Sequence, residues 1–225
     1  MFANSAPVTS NQDSLHPGLD IMVRRHLDSS WRQPVADFDV VAFNDASAWR
    51  QEQGPDRPLI FDSGCGTGCS TRWLAQQYPD ALVFGLDQSA DRLARSARRF
   101  ELPENARLFR TDCAGFWRLA QQAGWRLARH TVLYPNPWPK AAHLKRRWHG
   151  HPVWPSMLAL GGQLEVRSNW LIYLDEMAQA LSISGLPSQV SRLTVTEPVT
   201  DFENKYAASG QALWALTADL RTMTA

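Results

Sequence analysis

The chain has 225 residues, 44% of them hydrophobic, and a formal net charge of only +1. That size suits one substantial α/β domain with a tail, and the balanced charge excludes a protein that holds nucleic acid by overall charge, leaving only local clusters to do so. Cys65, Cys69 and Cys113 form neither a CxxC pair nor a zinc spacing, which predicts reduced thiols, no metal and a cytoplasmic location.

The sequence contains no basic-then-apolar leader and no apolar run long enough to span a bilayer, so no membrane partner is expected. Residues 1–38 read as an N-terminal arm, partly disordered, because its first 17 positions are rich in Ser, Asn, Pro and Asp. Within it, residues 19–32 can form a short helix carrying Arg24, Arg25 and Arg32, either a solvated face or a surface for RNA phosphate. Residues 49–58 read as a turn. The domain proper is expected over 39–225.

From there strands and helices alternate. Residues 58–63 and 81–87 are short apolar runs bounded by turn residues and predict buried strands. Residues 106–112, 130–135 and 162–168 predict three more. Helices are expected at 69–78, 89–100, 114–123, 143–160 and 170–182, and a closing antiparallel pair at 188–197 and 210–220. This alternation predicts a mostly parallel sheet with helices on both faces.

Two stretches carry chemistry. Gly64, Gly66 and Gly68 follow the first strand and open a helix, where glycine permits a tight turn and lets a ligand lie on bare backbone. The spacing is Gly-x-Gly-x-Gly, not the Gly-x-Gly-x-x-Gly of dinucleotide sites. Asp87 ends the next strand, where a carboxylate can accept ribose hydroxyls. Asp112 ends the third strand over the same crevice and can meet an adenine edge. The second stretch joins a Pro-rich turn around Asn136 to a basic run, as if to hold a flat ring beside a phosphate.

The glycine turn with its carboxylates resembles the class I S-adenosylmethionine-dependent methyltransferases, which implies a Rossmann-like fold with seven strands, S-adenosyl-L-methionine as cofactor, and Asp62 near the sulfonium. With the second half added, the chain resembles the bacterial tRNA (guanine-N7)-methyltransferases. That family's Phe-Pro-Asp-Pro-Trp-His-Lys turn corresponds to Tyr134-Pro135-Asn136-Pro137-Trp138-Pro139-Lys140, followed by His143 and the run Lys145-Arg146-Arg147. Its Thr-Asp-Trp corresponds to Ser168-Asn169-Trp170, and its Thr-x-Phe-Glu to Thr200-Asp201-Phe202-Glu203. The resemblance covers residues 58–217 and leaves the arm outside.

It implies cofactor contacts at Asp62, Asp87, Asp112 and the glycines, with Asn136 at both cofactor and target base. It implies substrate contacts at Lys140, Asn169, Thr200, Asp201, Phe202 and Glu203, and RNA contact through His143, Lys145, Arg146 and Arg147. The expected partner is tRNA, and the expected state is a monomer. Trp138 either stacks on the base or packs under the turn.

Two family aspartates are amides here, Asn136 and Asn169, and the His after the Trp is Pro139. Guanine N7 carries a free lone pair, so alignment rather than proton removal is the main task. A carboxylate near N1–H or N2–H strengthens its bond as the ring becomes cationic. An amide loses about 1 kcal/mol of that gain, roughly tenfold in rate. The leading reading is therefore methylation of guanine N7 in tRNA. The alternatives are a methyltransferase of the same lineage acting on a small purine-like metabolite, and a non-catalytic RNA-binding descendant. The Asn-Pro-Trp turn is also similar to the Asn-Pro-Pro-aromatic turn of amino-methyltransferases.

Overall fold

A computed structural model describes residues 5–96 and 98–222; residues 1–4 of the expected arm, Ala97 within the expected 89–100 helix, and the end of the chain after 222 lie outside it. Seven strands form one sheet in the order β3-β2-β1-β4-β5-β7-β6. They are β1 Leu59–Ser63, β2 Leu82–Asp87, β3 Ala106–Arg110, β4 Arg129–Leu133, β5 Gln163–Ser168, β6 Ser188–Leu193 and β7 Leu213–Asp219. The first five run parallel, and β7 is antiparallel to both β5 and β6. This is the seven-stranded Rossmann-like sheet expected of the class I methyltransferases.

Side-chain alternation explains why both faces are covered. Leu59 and Phe61 of β1 and Leu82, Phe84 and Leu86 of β2 enter one core. There they meet α2 (Asp37–Gln53), α5 (Cys113–Gln122), α6 (Trp154–Ala159) and α7 (Leu171–Ile183). Ile60 and Val83 point the other way, onto Leu74 and Ala75 of α3 (Cys69–Gln77). The remaining helices are α1 (Leu19–Leu27), α4 (Ala90–Ser96) and α8 (Asp201–Ala208).

Three expectations change. Helix α2 runs through positions expected as arm and turn. The expected helix over 143–160 is two short 3-10 segments, Ala141–Arg146 and Trp148–Gly150, then α6. A Cβ at Gly150 would lie 2.2 Å from the Leu144 carbonyl oxygen, so this chain folds back too tightly for one continuous helix. Residues 200–203 open a helix, α8, that is absent from the expected elements.

The sheet order reverses between β1 and β4, which places a crevice beyond their carboxyl ends. Among the described residues no helix is long and apolar enough to cross a membrane, and no three His, Cys, Asp or Glu group as metal ligands.

Candidate active site

The glycine loop follows β1 directly. Gly64 and Gly66 have φ of 78° and 59°, in the left-handed region that favours glycine. A Cβ at either would meet nothing within 4 Å, so the backbone borders open space. The Gly64 and Cys65 N–H groups donate to the Leu86 carbonyl at 2.8 and 3.0 Å, which pins the loop to the end of β2. Asp87 completes the corner: its carboxylate accepts from Gly66 N at 2.9 Å and Ser89 N at 2.8 Å. Arg92 also lies 3.6 Å from Asp87 Oδ2, while Oδ1 keeps a lone pair for a further donor, so a bare-backbone cradle beside a held carboxylate fits a nucleoside with a ribose hydroxyl.

Asp62 lies deeper. It is buried, and it accepts from Ser70 Oγ at 2.7 Å, Thr71 Oγ1 at 2.6 Å and Thr131 Oγ1 at 3.4 Å. Burial raises its pKa, and the three hydroxyls pull it back. The carboxylate thus ties the start of α3 to β1 and β4, and a ligand contact there would compete with these bonds. Asp112 caps α5 through Ala114 N at 3.0 Å. It is held by a residue that sequence reasoning misses: Asp39 of α2 accepts from Thr111 Oγ1 and from Asp112 N, both at 2.7 Å.

The turn after β4 is built on unusual backbone. Tyr134 and Trp138 have φ of 53° and 44°, a conformation that costs bulky residues of order 1–3 kcal/mol and persists where surroundings impose it. The imposing contacts are clear. Tyr134 Oη donates to Glu203 Oε1 at 2.7 Å. Asn136 is exposed, and its Oδ1 accepts from Trp138 N at 3.2 Å. Trp138 is held within the turn, with the Arg146 guanidinium 4.6 Å from its ring centre and His143 at its edge.

Arg147 corrects the expectation of phosphate contact. Its side chain is fully buried and ion-paired with Glu176 of α7, so it is sealed away from RNA. Its other donors reach the carbonyls of Trp138 (3.2 and 3.1 Å) and Lys140 (3.3 Å). Glu176 also accepts from His149 Nε2 at 2.9 Å. The arm joins the same cluster: Gln12 Nε2 donates to Glu176 at 2.5 Å, Gln12 Oε1 accepts from Arg147 at 3.0 Å, and Ser10 Oγ donates to the Pro139 carbonyl at 2.6 Å. Lys140, Lys145 and Arg146 are exposed.

Residues 200–203 meet the glycine loop. Thr200 caps α8, accepting from Glu203 N at 2.9 Å. Asp201 accepts from Thr67 Oγ1 of the glycine loop at 2.7 Å and from Arg99 at 2.7 Å. Burial would raise its pKa, but the bonds from Arg99 and Thr67 bring it below the ordinary carboxylate value. Glu203 is buried; besides Tyr134 it accepts from Arg167 at 2.8 Å and Val199 N at 2.8 Å. Its expected substrate contact is therefore replaced by three protein donors.

A cavity of about 150 Å³ lies between these segments, lined by Gly64, Gly66, Thr67, Leu133, Asp201 and Phe202 among others. The structure thus brings Gly64 and Gly66 together with Thr200, Asp201 and Phe202, while Gly68, Asp62, Asp87 and Asp112 are outside the lining. Asn136, Lys140 and Asn169 do not line it; Asn169 donates to Gln211 Oε1 at 2.9 Å. Sequence reasoning misses Thr67, Arg99, Tyr134, Arg167 and Glu176. The Thr-x-x-Glu capping signature at 200–203 is the one local signal that could have marked Glu203 as structural.

The family described as "Putative methyltransferase" matches residues 56–216. A tRNA (guanine-N(7)-)-methyltransferase of Mycolicibacterium gilvum is 32% identical over 197 residues, covering 77% of this chain and 72% of that protein. One of Treponema pallidum is 29% identical over 168 residues, covering 71% of this chain and 66% of its own length; the chain thus spans a little under two thirds of that relative. Among solved structures, an antibiotic-related methyltransferase superposes with a TM-score of 0.56 at 15% identity, covering 79% of this chain and 94% of that one. A 16S rRNA (adenine(1408)-N(1))-methyltransferase from Catenulisporales acidiphilia, a single-site mutant solved with cosubstrate SAM, gives 0.52 at 16%, covering 77% and 90%. At these identities the structures speak for the fold alone, whereas the sequence matches settle descent: this chain belongs to the methyltransferase family that contains the tRNA (guanine-N(7)-)-methyltransferases.

Proposed function

We propose that the protein transfers a methyl group from S-adenosyl-L-methionine to N7 of a guanine in tRNA. The observation that carries this reading is the meeting of the glycine loop with residues 200–202 around one cavity, because it sets a nucleoside cradle against the segment whose Thr-x-Phe-Glu pattern resembles that of the tRNA (guanine-N7)-methyltransferases. When bound, S-adenosylmethionine supplies an electrophilic methyl carbon on a positively charged sulfur.

The chain's own groups have three tasks. Asp87, already oriented by Gly66 N and Ser89 N, accepts the ribose hydroxyls. The Tyr134 to Trp138 turn, fixed from below by Arg147 and Glu203, presents Asn136 to the base. Phe202, partly exposed at the cavity, gives the ring an apolar surface to lie on. N7 attacks with its own lone pair, and no residue is needed to remove a proton first. Alignment of the two reactants can supply about 7–11 kcal/mol of the barrier, and Asn136 Oδ1 accepts from an N–H of the increasingly cationic ring.

The amides at Asn136 and Asn169 favour a second reading, a small purine-like acceptor, because an amide N–H can meet a ring acceptor that a carboxylate repels. Incubation with labelled methyl donor and bulk tRNA lacking 7-methylguanosine, followed by nucleoside identification, separates the two. Label in 7-methylguanosine supports tRNA; label on free purines alone supports the small acceptor.

A further inference from the structure

A second cavity, of about 450 Å³, opens on α1 and is larger than the one at the glycine loop. Ile21, Met22 and Trp31 give it an apolar wall, and Arg25, Arg32 and Lys145 give it three cations. Among the described residues no carboxylate lines it; Asp20 and Asp28, which neighbour these residues in sequence, are outside the lining. His26 also borders it, with its Nε2 against the Gly150 carbonyl at 3.2 Å.

The wall is built in advance. Trp31 stands edge-on to His151 at 4.9 Å between ring centres, and the Arg118 guanidinium lies 4.6 Å from its ring centre. Arg118 also donates to the backbone carbonyls of Trp31 and Gln33 at 3.2 and 2.6 Å. Ile21, by contrast, is 76% exposed, an apolar side chain left in water at the mouth of a cationic cavity. Apolar wall plus uncompensated cations is the chemistry that receives a nucleotide: the ring lies on the apolar groups and the phosphate meets the guanidiniums.

We propose that this cavity is a second docking site for the substrate RNA, holding one nucleotide beyond the target base. The proposal rests on the tRNA reading above and extends it to a surface on the arm. The Asn136 turn and this cavity are joined by one short segment. Lys140 precedes the 3-10 segment Ala141–Arg146, and Lys145 in that segment lines the cavity. At about 2 Å rise per residue, Lys140 and Lys145 are separated by about 10 Å, the length of roughly three stacked nucleotides at 3.4 Å each. A strand whose target base sits at the Asn136 turn reaches the cavity within a few nucleotides.

The test uses the full chain with Arg25→Glu plus Arg32→Glu, and separately Ile21→Glu, whose side chain is exposed and whose fold is not at risk. Fluorescence anisotropy with tRNA over a range of salt concentrations reads affinity, and calorimetry with S-adenosylmethionine reads the glycine-loop site. The double variant is expected to weaken tRNA binding about tenfold or more and to lower the slope of log affinity against log salt by roughly two. Ile21→Glu weakens tRNA binding as well, and both keep wild-type affinity for S-adenosylmethionine. Unchanged tRNA affinity in both variants would overturn the site, as would a loss of self-association with tRNA affinity intact, which would place a second copy of the chain there. If the wild-type protein itself fails to bind tRNA, the functional reading falls first; if it binds and the variants match it, only this cavity is lost.

Discussion

Arg147 and Glu176 form an ion pair with no solvent exposure on either side chain, and Arg147 uses its remaining donors on the carbonyls of Trp138 and Lys140 and on Gln12 Oε1. A residue within the basic run is therefore the internal brace of the turn that carries Asn136. Removing one partner of such a pair leaves the other charge buried and unmatched, at a cost of about 3–5 kcal/mol. Arg147→Ala is expected to lower the urea unfolding free energy by that amount. A loss under about 1 kcal/mol, the range of exposed pairs, would contradict the burial described here.

Asp87 holds the glycine loop and, in the proposed function, accepts the ribose hydroxyls. Losing two charge-assisted bonds of about 1.5 kcal/mol each weakens binding by roughly a hundredfold. Asp87→Ala is expected to raise the dissociation constant for S-adenosylmethionine by that order in calorimetry while leaving tRNA affinity near wild type. Equal affinity would move the ribose elsewhere.

Asn136 already spends its Oδ1 on Trp138 N. A carboxylate at the same position keeps that bond and brings a second, charged oxygen to the base. Asn136→Asp is thus expected to raise the methylation rate on tRNA guanine by about tenfold, the ratio that charged and neutral hydrogen bonds predict. A fall in turnover would show that the amide is matched to another acceptor.

Acid is expected to unfold the protein through buried groups. Burial lowers the pKa of His130 to about 3, against an ordinary value near 6.5. A base with a lowered folded pKa contributes stability that is complete above the unfolded value and is lost as pH falls from about 6.5 towards 3, because the unfolded chain takes up the proton first. Burial likewise lowers His149, which stays neutral beside Glu176. Burial alone would raise Glu176, but bonds from His149, Arg147 and Gln12 bring it down to about 2; its contribution is complete above about 4.3 and fades towards 2. Asp62, raised by burial, acts in the opposite sense. Urea midpoints should be level near neutrality and fall steadily from pH 6.5 to 4. A flat profile over that range would remove His130 and His149 from the acid response.

Much of this site is written locally in the chain. Gly64, Gly66 and Asp87 are legible because their roles depend on backbone freedom and on the ends of adjacent strands, both visible as pattern. Helix α2 is not legible, since it buries Asp39, Ala46 and Trp49 while leaving Phe38 and Val41 exposed, the reverse of the amphipathic rule. Nor is the burial of Arg147, whose partner lies 29 positions away on another helix; three basic residues in a row look alike until the fold selects one. Glu203 shows the opposite failure: its capping signature with Thr200 is present in the sequence, yet similarity to a substrate segment points elsewhere.

Titration of S-adenosylmethionine into the purified, folded protein is the most direct test of the methyl-donor crevice. Saturable binding of one molecule per chain, lost when Gly66→Val places a branched side chain in the space beside Asp87, is the predicted result. No heat of binding over a range of temperatures, with far-ultraviolet dichroism unchanged, would contradict it.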